Sequence, residues 1–284
     1  MKLLIFGQTG QVARELIALA GDHEVTALSR ADADQSNPHA CAAIVRDLRP
    51  DAVINAAAYT AVDKAEEEEA LSTVVNGETP GAIACACAEI DVPFLHISTD
   101  YVFDGTGTAP WSPEDATAPQ NAYGRSKLAG EEAVRAAGGI HTILRTSWVF
   151  SAHGNNFVKT MLRLSETRDE LNVVADQIGG PTAARDIAAA LLAILPRLKD
   201  GLGSGTYHFA GQPVTSWADF AREIFAQVGT ATKVHDIPTS AYPTPAQRPL
   251  NSRMDCSKLT TDFGIEIPDW RASLNDVLKD LGRA

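Results

Sequence analysis

The sequence predicts an α/β fold in which a doubly wound parallel sheet is followed by a smaller C-terminal α/β lobe. Short runs that are apolar on both faces alternate with longer segments of helical spacing through the first half of the chain. Strands that are buried on both faces and separated by helices are typical of a parallel sheet covered on each side. The length of 284 residues fits one large domain or two unequal ones. We therefore expect a Rossmann-like architecture.

The predicted strands lie at residues 3–6, 25–28, 52–54, 94–97 and 142–145. Between the first two, Val12, Leu16 and Leu19 form one helical stripe, and Gly21 suits its C-terminal end. After Trp148, longer loops rich in Gly and Pro separate predicted helices at residues 156–166, 183–198 and 216–228. We predict a first domain at residues 1–148 and a mainly substrate-binding lobe at residues 149–284, from which the chain can cross back to the first domain.

Composition and charge exclude several classes of protein. The net charge of −12 and a pI near 5.0 disfavour a nonspecific binder of nucleic acid or of anionic membranes. The N-terminal apolar run is too short for a signal peptide, and no stretch approaches the roughly 20 apolar residues that span a bilayer. The four cysteines and seven histidines lack the spacing of a zinc site. We predict a cytoplasmic protein with no metal site of that kind.

A glycine-containing turn follows the first predicted strand and opens the first predicted helix. Gly7 and Gly10 allow a tight turn and a close approach of the backbone to a pyrophosphate, which then lies at the positive end of the helix. Its position at the first strand–helix junction favours a dinucleotide site. We expect Gly7, Gly10, Gln11 and Val12 to bind the cofactor.

The residues after the second strand favour NADP over NAD. Arg30 lies twenty positions after Gly10, where an acidic residue binds the ribose 2′-hydroxyl in many NAD sites. A guanidinium beside Ser29 suits a 2′-phosphate, so we predict NADP(H), with NAD(H) possible. The alternative is a solvated Arg30, with Asp32 or Asp34 binding the ribose. The small residues after the third strand leave room for the cofactor, and we expect it to contact Ala57, Ala58 and Thr60.

The residues at 123–127 have the spacing of a catalytic pair. Tyr123 and Lys127 lie four positions apart, so a helix places them on one face. A phenol with its ordinary pKa of about 10 is a weak acid at neutral pH, and we expect the Lys127 ammonium to lower that pKa. Thr99 ends a buried strand at the edge where such sheets bind ligands, and we expect its hydroxyl to hydrogen-bond a substrate carbonyl. The alternative for this hydroxyl is to cap the next turn.

These motifs resemble the extended short-chain dehydrogenase/reductases, and within them the dTDP-4-dehydrorhamnose reductase family. The resemblance extends over nearly the whole chain and is carried by residues 55–66, 98–105, 123–131, 145–150, 154–157, 176–182 and 242–249. It implies NADPH-dependent reduction of the 4-keto group of dTDP-4-dehydro-L-rhamnose to dTDP-L-rhamnose. Related dehydratases carry Thr-Asp-Glu at the strand end, whereas this chain has Thr99-Asp100-Tyr101 and lacks the eliminating base.

The resemblance also implies roles for individual residues. Tyr123 would protonate the sugar oxygen, Lys127 would tune Tyr123 and contact the nicotinamide ribose, and Thr99 would orient the carbonyl. Further residues are implied to contact the adenine (Asp34 and Gln35), the sugar (Asp100 and Trp148) and the nucleotide diphosphate (Asn156, Arg248 and Asn251).

Several points stay open at this level. The substrate can be another nucleotide-linked 4-keto-sugar, and some relatives are non-catalytic regulatory subunits that keep the cofactor fold. Arg185 stands where some relatives that dimerise around magnesium carry a carboxylate, which argues against a metal-bridged dimer. The role of Mg²⁺ and a possible homodimer are left undecided.

Overall fold

The computed structural model describes residues 1–283, and its order of elements alternates strands and helices as expected. The strands are β1 (Lys2–Phe6), β2 (Glu24–Leu28), β3 (Ala52–Asn55), β4 (Phe94–Thr99), β5 (His141–Thr146), β6 (Val149–Phe150), β7 (Glu170–Val174), β8 (Ile178–Gly179), β9 (Thr182–Ala183), β10 (Gly205–His208), β11 (Thr215–Ser216), β12 (Lys233–Ile237) and β13 (Asn251–Ser252). The α-helices are α1 (Gln11–Leu19), α2 (Pro38–Leu48), α3 (Glu69–Thr73), α4 (Thr79–Glu89), α5 (Ala122–Ala136), α6 (Phe157–Ser165), α7 (Ala184–Lys199), α8 (Trp217–Val228), α9 (Ser257–Phe263) and α10 (Trp270–Asp280).

The central element is a six-stranded parallel sheet in the order β10-β5-β4-β3-β1-β2. From β1 the chain first adds β2 on one side and then returns to add β3 on the other. The direction of winding therefore reverses between β1 and β3, and in open α/β sheets ligands bind outside the carboxyl ends of the strands at such a point. The predicted α/β, doubly wound fold is confirmed.

Helices cover both faces of this sheet. On one face α1 and α7 pack on side chains such as Leu3, Ile5 and Leu144, and on the other α2, α4 and α5 pack on Leu4 and Ile143. All four residues of β3 are buried: Ala52, Val53 and Ile54 are apolar, and the polar Asn55 is hydrogen-bonded. This double cover makes the sheet a rigid support for residues at its carboxyl edge.

A second, smaller core lies in the C-terminal part of the chain. It is built from α6, α8 and α10 around β7, with Phe220 and Trp270 fully buried at its centre. The chain then contributes to the first core as well, because β10 is the sixth strand of the main sheet and α7 packs against α1. The division at residues 1–148 and 149–284 stays a prediction, and residue 284 lies outside the described part.

The predicted strands and later helices agree with the structure to within one or two residues. The three later helices begin one residue after the predicted starts, because Asn156, Ala183 and Ser216 are their N-caps. Within residues 1–283, no helix combines the length and apolar character needed to cross a bilayer.

Candidate active site

The glycine turn lies at the carboxyl ends of β1 and β3. Gly7 has φ +108°, a conformation that L side chains rarely adopt, and a Cβ there would be 3.3 Å from the backbone of Ala56. Gly10 is the N-cap of α1 and supplies no side chain to its first turn. The backbone N–H groups of that turn are therefore left for an anion.

Gln11 joins this turn to the second half of the chain. Its Oε1 accepts hydrogen bonds from Ser151 Oγ at 3.0 Å and from Asn156 Nδ2 at 2.9 Å. Val12, next along α1, is 8% exposed and belongs to the core. Gln11 and Val12 thus lie at the turn, with the Gln11 side chain engaged by the segment before α6, and their contact with a cofactor stays a prediction.

The residues after β2 leave Arg30 available for a ligand. Ser29 donates to Asp32 Oδ2 through its backbone N–H at 2.9 Å and through its hydroxyl at 2.6 Å, so the Asp32 carboxylate is engaged within the loop. The Arg30 side chain is 82% exposed and has a carboxylate contact of 3.8 Å with Asp34. A weak, solvent-screened pair of this kind is easily exchanged for a phosphate.

These residues fit a dinucleotide phosphorylated on the ribose. The glycine turn offers backbone donors at a helix N-terminus, Arg30 offers an exposed cation, and Ala57 and Ala58 are half-buried beside the turn. Thr60 is exposed farther along the same loop. The contacts of these residues with a cofactor stay predictions.

Thr99, Asp100 and Tyr123 lie together at the end of β4. The Thr99 hydroxyl donates to Asp100 Oδ1 at 3.1 Å, and it also accepts the backbone N–H of Tyr101 at 3.2 Å. The hydroxyl caps the helical turn Asp100–Val102 and still lies beside Tyr123. The structure is therefore compatible both with a capping role and with a hydrogen bond to a substrate carbonyl. Ser252 Oγ donates to the second oxygen of Asp100.

Burial dominates the electrostatics of this cluster. It raises the pKa of the Asp100 carboxyl to about 6, although hydrogen bonds from Ser252 and Thr99 oppose the shift. Burial, followed by the charge of Asp100, also raises the pKa of the Tyr123 phenol, against a lowering hydrogen bond with Thr99. The expectation that the phenol pKa is lowered is therefore wrong for the ligand-free protein, because desolvation disfavours the phenolate.

Lys127 is 2% exposed and is held by β4. Its Nζ donates to the carbonyl of Ile97 at 2.7 Å and lies 3.3 Å from His96 Nε2. Burial lowers the pKa of this lysine to about 8, although the Glu131 carboxylate raises it. The predicted helical face is thus formed, but in this structure the ammonium is directed to the strand.

A chain of hydrogen bonds determines the orientation of the His96 ring. Asn55 Oδ1 accepts the backbone N–H of Ala57 at 3.2 Å and Gln35 Nε2 at 2.9 Å, so Asn55 Nδ2 is the atom that lies 3.4 Å from His96 Nδ1. Burial and then Lys127 lower the pKa of His96 well below its usual value, so the ring is neutral. The neutral ring links Asn55 Nδ2 at its Nδ1 side to Lys127 Nζ at its Nε2 side.

Trp148 stands at the start of the second half of the chain in an unusual backbone conformation. Its φ is +50°, which is rare for a large side chain. The half-buried indole stacks on Trp217 with ring centroids 3.7 Å apart and an interplanar angle of 12°. Residues held in such a conformation concentrate at functional sites.

Comparison with known proteins establishes the family. A family model described as the RmlD substrate binding domain matches residues 1–283. The chain belongs to this family. A dTDP-4-dehydrorhamnose reductase of Sinorhizobium fredii is 48% identical over 281 residues, which cover 96% of this chain and 95% of the relative.

Solved structures of the family have the same fold. A dTDP-4-dehydrorhamnose reductase of Clostridium acetobutylicum has a TM-score of 0.94 at 38% identity, covering 99% of this chain and 100% of that one. The reductase of Bacillus anthracis, solved in complex with NADP, has a TM-score of 0.93 at 32% identity, covering 98% and 99%. The resemblance predicted from the motifs is confirmed.

In this member of the RmlD family, two predicted contacts to the diphosphate have structural partners. The Asn156 side chain caps α6 and donates to Gln11 and to the carbonyls of Ser151 and His153. Asn251 is 2% exposed and donates to the carbonyls of Thr106 and Ala109. Their contact with a nucleotide stays a prediction.

Arg248 is held differently from these two amides. Its Nη2 donates to Asp63 at 2.7 Å, whereas Nη1 has no hydrogen-bond partner in the described part of the chain. The guanidinium therefore keeps donor capacity that its partner does not use. Its role in binding a diphosphate stays a prediction.

A buried ion pair that was not predicted from the sequence lies behind the site. Glu131, two turns after Tyr123 on α5, is fully buried and accepts from Ser98 Oγ at 2.6 Å and from Arg145 Nε and Nη2 at 2.8 and 2.7 Å. Arg145 also lies over the Phe103 ring, 4.9 Å from its centroid. Arg145 offered a signal, because it is a charged residue within a strand predicted to be buried, whereas Glu131 is one of several charged residues of α5.

No group of three or more His, Cys, Asp or Glu side chains within residues 1–283 is arranged to hold a metal ion. Glu15 and His153 form a 3.5 Å pair. The role of Mg²⁺ is therefore as undecided as it was from the sequence.

Proposed function

We propose that the chain is an NADPH-dependent reductase that converts the 4-keto group of dTDP-4-dehydro-L-rhamnose to the hydroxyl of dTDP-L-rhamnose. Membership of the RmlD family, with curated reductases as relatives, supports this substrate. The observation that carries the proposal is the position of Thr99, Asp100 and Tyr123 on one sheet edge with the glycine turn. A carbonyl held there lies within reach of both a proton donor and a dinucleotide.

The chain's own residues supply a proton and an oriented carbonyl. Bound NADPH supplies the hydride that adds to the carbonyl carbon. The Tyr123 phenol donates its proton to the carbonyl oxygen, and its raised pKa ensures that this proton is present at neutral pH. Thr99 orients the oxygen, and the resulting tyrosinate regains a proton from solvent.

The charge of Lys127 helps this transfer. A lysine with a pKa of about 8 is mostly protonated at pH 7, and its charge favours the tyrosinate that forms when the phenol gives up its proton. The same burial lets the lysine lose its proton at mildly alkaline pH. We therefore expect turnover to fall as the pH rises through about 8.

The preference for NADPH rests on Arg30. Its largely exposed guanidinium is weakly paired, and the carboxylate of Asp32, which would suit an unmodified ribose, is engaged by Ser29. A relative solved with NADP supports the same cofactor. Use of NAD(H), a cytoplasmic location and a homodimer remain predictions from the sequence.

A panel of nucleotide-linked 4-keto-sugars tests the proposal. NADPH oxidation is followed with dTDP-, UDP- and GDP-linked substrates, and each is repeated with NADH. We expect the dTDP-linked 4-keto-rhamnose with NADPH to give the highest kcat/KM. A higher value with another sugar would reassign the substrate, and tight NADPH binding without turnover of any sugar would indicate a non-catalytic cofactor-binding protein.

A further inference from the structure

Trp217 is an aromatic residue outside the predicted site that lies flat against Trp148. The two rings are 3.7 Å apart between centroids and nearly parallel, so Trp217 covers one face of the Trp148 indole. Phe157 packs on Trp217 from a different direction, with centroids 4.7 Å apart and an interplanar angle of 51°. The Trp148 ring is therefore backed by a supported aromatic pair rather than by mobile side chains.

The Trp217 ring is itself anchored through its polar atom. Its Nε1 donates to Gln177 Oε1 at 3.1 Å, and Gln177 Nε2 donates to Thr239 Oγ1, also at 3.1 Å. Gln177 is 7% exposed, so this anchor is largely protected from solvent. One hydrogen bond and the ring contacts with Trp148, Phe157 and Phe220 thus restrict the rotation of the Trp217 indole.

Because Gly179 has no side chain, an edge of the Trp148 ring can approach strand β8 closely. A Cβ at Gly179 would lie 2.9 Å from Trp148 Cε2 and 3.0 Å from Ser252 Cβ, closer than real Cβ atoms tolerate in the first case. Ser252 is the residue that donates to Asp100. The missing side chain at position 179 therefore brings the Trp148 ring next to the Ser252–Asp100 pair.

The three-stranded sheet β11-β8-β13 fixes the positions of Gly179 and Ser252 and of the chain that leads into Trp217. Strand β8 pairs with β13, where Gly179 faces Ser252, and with β11, which ends immediately before Trp217. The backbone of Trp148 is fixed separately, because its carbonyl accepts the N–H of Thr182 at 3.3 Å. These contacts maintain the left-handed φ of Trp148, which a large residue leaves unless its surroundings prevent it.

We propose that Trp217 is a positioning residue for the sugar: it holds the Trp148 indole as a fixed wall of the site, and Gly179 sets the distance from that wall to Asp100. The inference rests on the proposed function, in which Trp148 and Asp100 contact the keto-sugar. An indole surface suits the C–H groups of a sugar ring, while Asp100 suits its hydroxyls. A fixed wall restricts the ring to the orientation in which its carbonyl meets Tyr123.

The first test of the stack needs neither cofactor nor substrate. Two stacked indoles couple their transitions, and they give a paired positive and negative band in far-ultraviolet circular dichroism when their in-plane transition moments are rotated relative to each other. We expect this couplet in the wild type and in the control Trp111→Phe, and its loss in Trp217→Phe and Trp217→Leu. A couplet that survives in both Trp217 variants, or a wild-type spectrum in this region that neither Trp217 variant changes, would overturn the proposal.

The second test is a double-mutant cycle on sugar turnover. We expect Trp217→Leu to lower kcat/KM for the nucleotide sugar by about tenfold, with a smaller loss in Trp217→Phe and an unchanged Kd for NADPH. In a Trp148→Phe background the same change is expected to have little further effect. Equal losses in both backgrounds would show that Trp217 does not act through Trp148.

Gly179→Ala tests the other support without removing an aromatic ring. We expect a weakened couplet and a higher KM for the nucleotide sugar, because the methyl group displaces the Trp148 edge. An unchanged couplet and an unchanged KM would contradict the role of Gly179. If the wild type turned over no keto-sugar, the proposed function would fail while the couplet still decided whether the stack exists.

Discussion

Replacing the buried lysine of the site is expected to make the protein more stable and inactive. Lys127 is 2% exposed, and burial lowers its pKa from 10.5 to about 8. At pH 7 the folded state therefore holds this proton about 3 kcal/mol less favourably than the unfolded chain does. Lys127→Met removes the charge and keeps an unbranched side chain of similar length.

The loss of two hydrogen bonds reduces this gain. Lys127 Nζ lies 2.7 Å from the Ile97 carbonyl and 3.3 Å from His96 Nε2, and each bond of this kind contributes about 1 kcal/mol net. We expect Lys127→Met to raise the free energy of unfolding at pH 7 by about 1 kcal/mol. Lys233→Met is the control, because that side chain is 72% exposed and we expect little change.

The pH dependence distinguishes this explanation from better packing. Between pH 8 and about 10.4 the unfolded chain keeps the lysine proton and the folded wild type has lost it, so wild-type stability rises with pH in that window. The advantage of Lys127→Met is therefore expected to shrink from pH 7 to pH 9.5 in denaturant unfolding. A variant that is less stable at pH 7, or an advantage that does not change with pH, would refute the reasoning.

Three further substitutions test the site and its support. Tyr123→Phe is expected to lower kcat by about 10²- to 10⁴-fold. The Kd for NADPH, measured by fluorescence titration, is expected to stay within a factor of two. Near-normal turnover would show that the phenol is not the proton donor. Arg30→Ala is expected to weaken the binding of NADPH about tenfold and that of NADH little, and Arg168→Ala is the control. Equal losses of affinity for the two cofactors would exclude a contact between Arg30 and the 2′-phosphate. Glu131→Gln leaves the buried Arg145 guanidinium without its carboxylate, and we expect it to lower the free energy of unfolding by about 3 kcal/mol in a urea titration. The control Glu132→Gln changes an exposed residue and is expected to alter the free energy of unfolding little. Similar losses of stability in both variants would contradict a stabilising role of the buried pair.

The fold was predictable wherever the pattern is local. Runs that are apolar on both faces located the strands, and the glycine turn located the crevice between β1 and β3. The sixth strand was not predicted, because Gly205–His208 is a short segment whose partner, β5, lies about sixty residues earlier in the chain. Only a long-range pairing reveals that the second half of the chain completes the first sheet.

The site was predictable in its residue types more than in its electrostatics. The four-residue spacing placed Tyr123 and Lys127 on one helix face, as the structure has them. The direction of the phenol pKa was wrong because desolvation depends on what covers the ring, which spacing does not reveal. The His96 chain was missed for a similar reason, since Asn55 and His96 lie on neighbouring strands and are far apart in sequence.

Some polar residues in the motifs have structural partners that sequence reasoning could not see. The Asn251 amide binds carbonyls of the loop at residues 106–109, about 140 positions earlier. Asn156 reaches Gln11 in the same long-range manner. An amide in a family motif is therefore as readily explained by loop closure as by ligand contact, and only the folded arrangement identifies its present partners.

The transfer of label from the cofactor tests the central claim most directly. NADPH carrying deuterium at C4 of the nicotinamide, on the face that is transferred, is incubated with the enzyme and dTDP-4-dehydro-L-rhamnose, and the product is analysed by NMR. The account predicts one deuterium at C4 of the sugar in dTDP-L-rhamnose and none elsewhere. Product without deuterium at C4, or label at another sugar carbon, would contradict reduction of that carbonyl at the Thr99–Tyr123 edge.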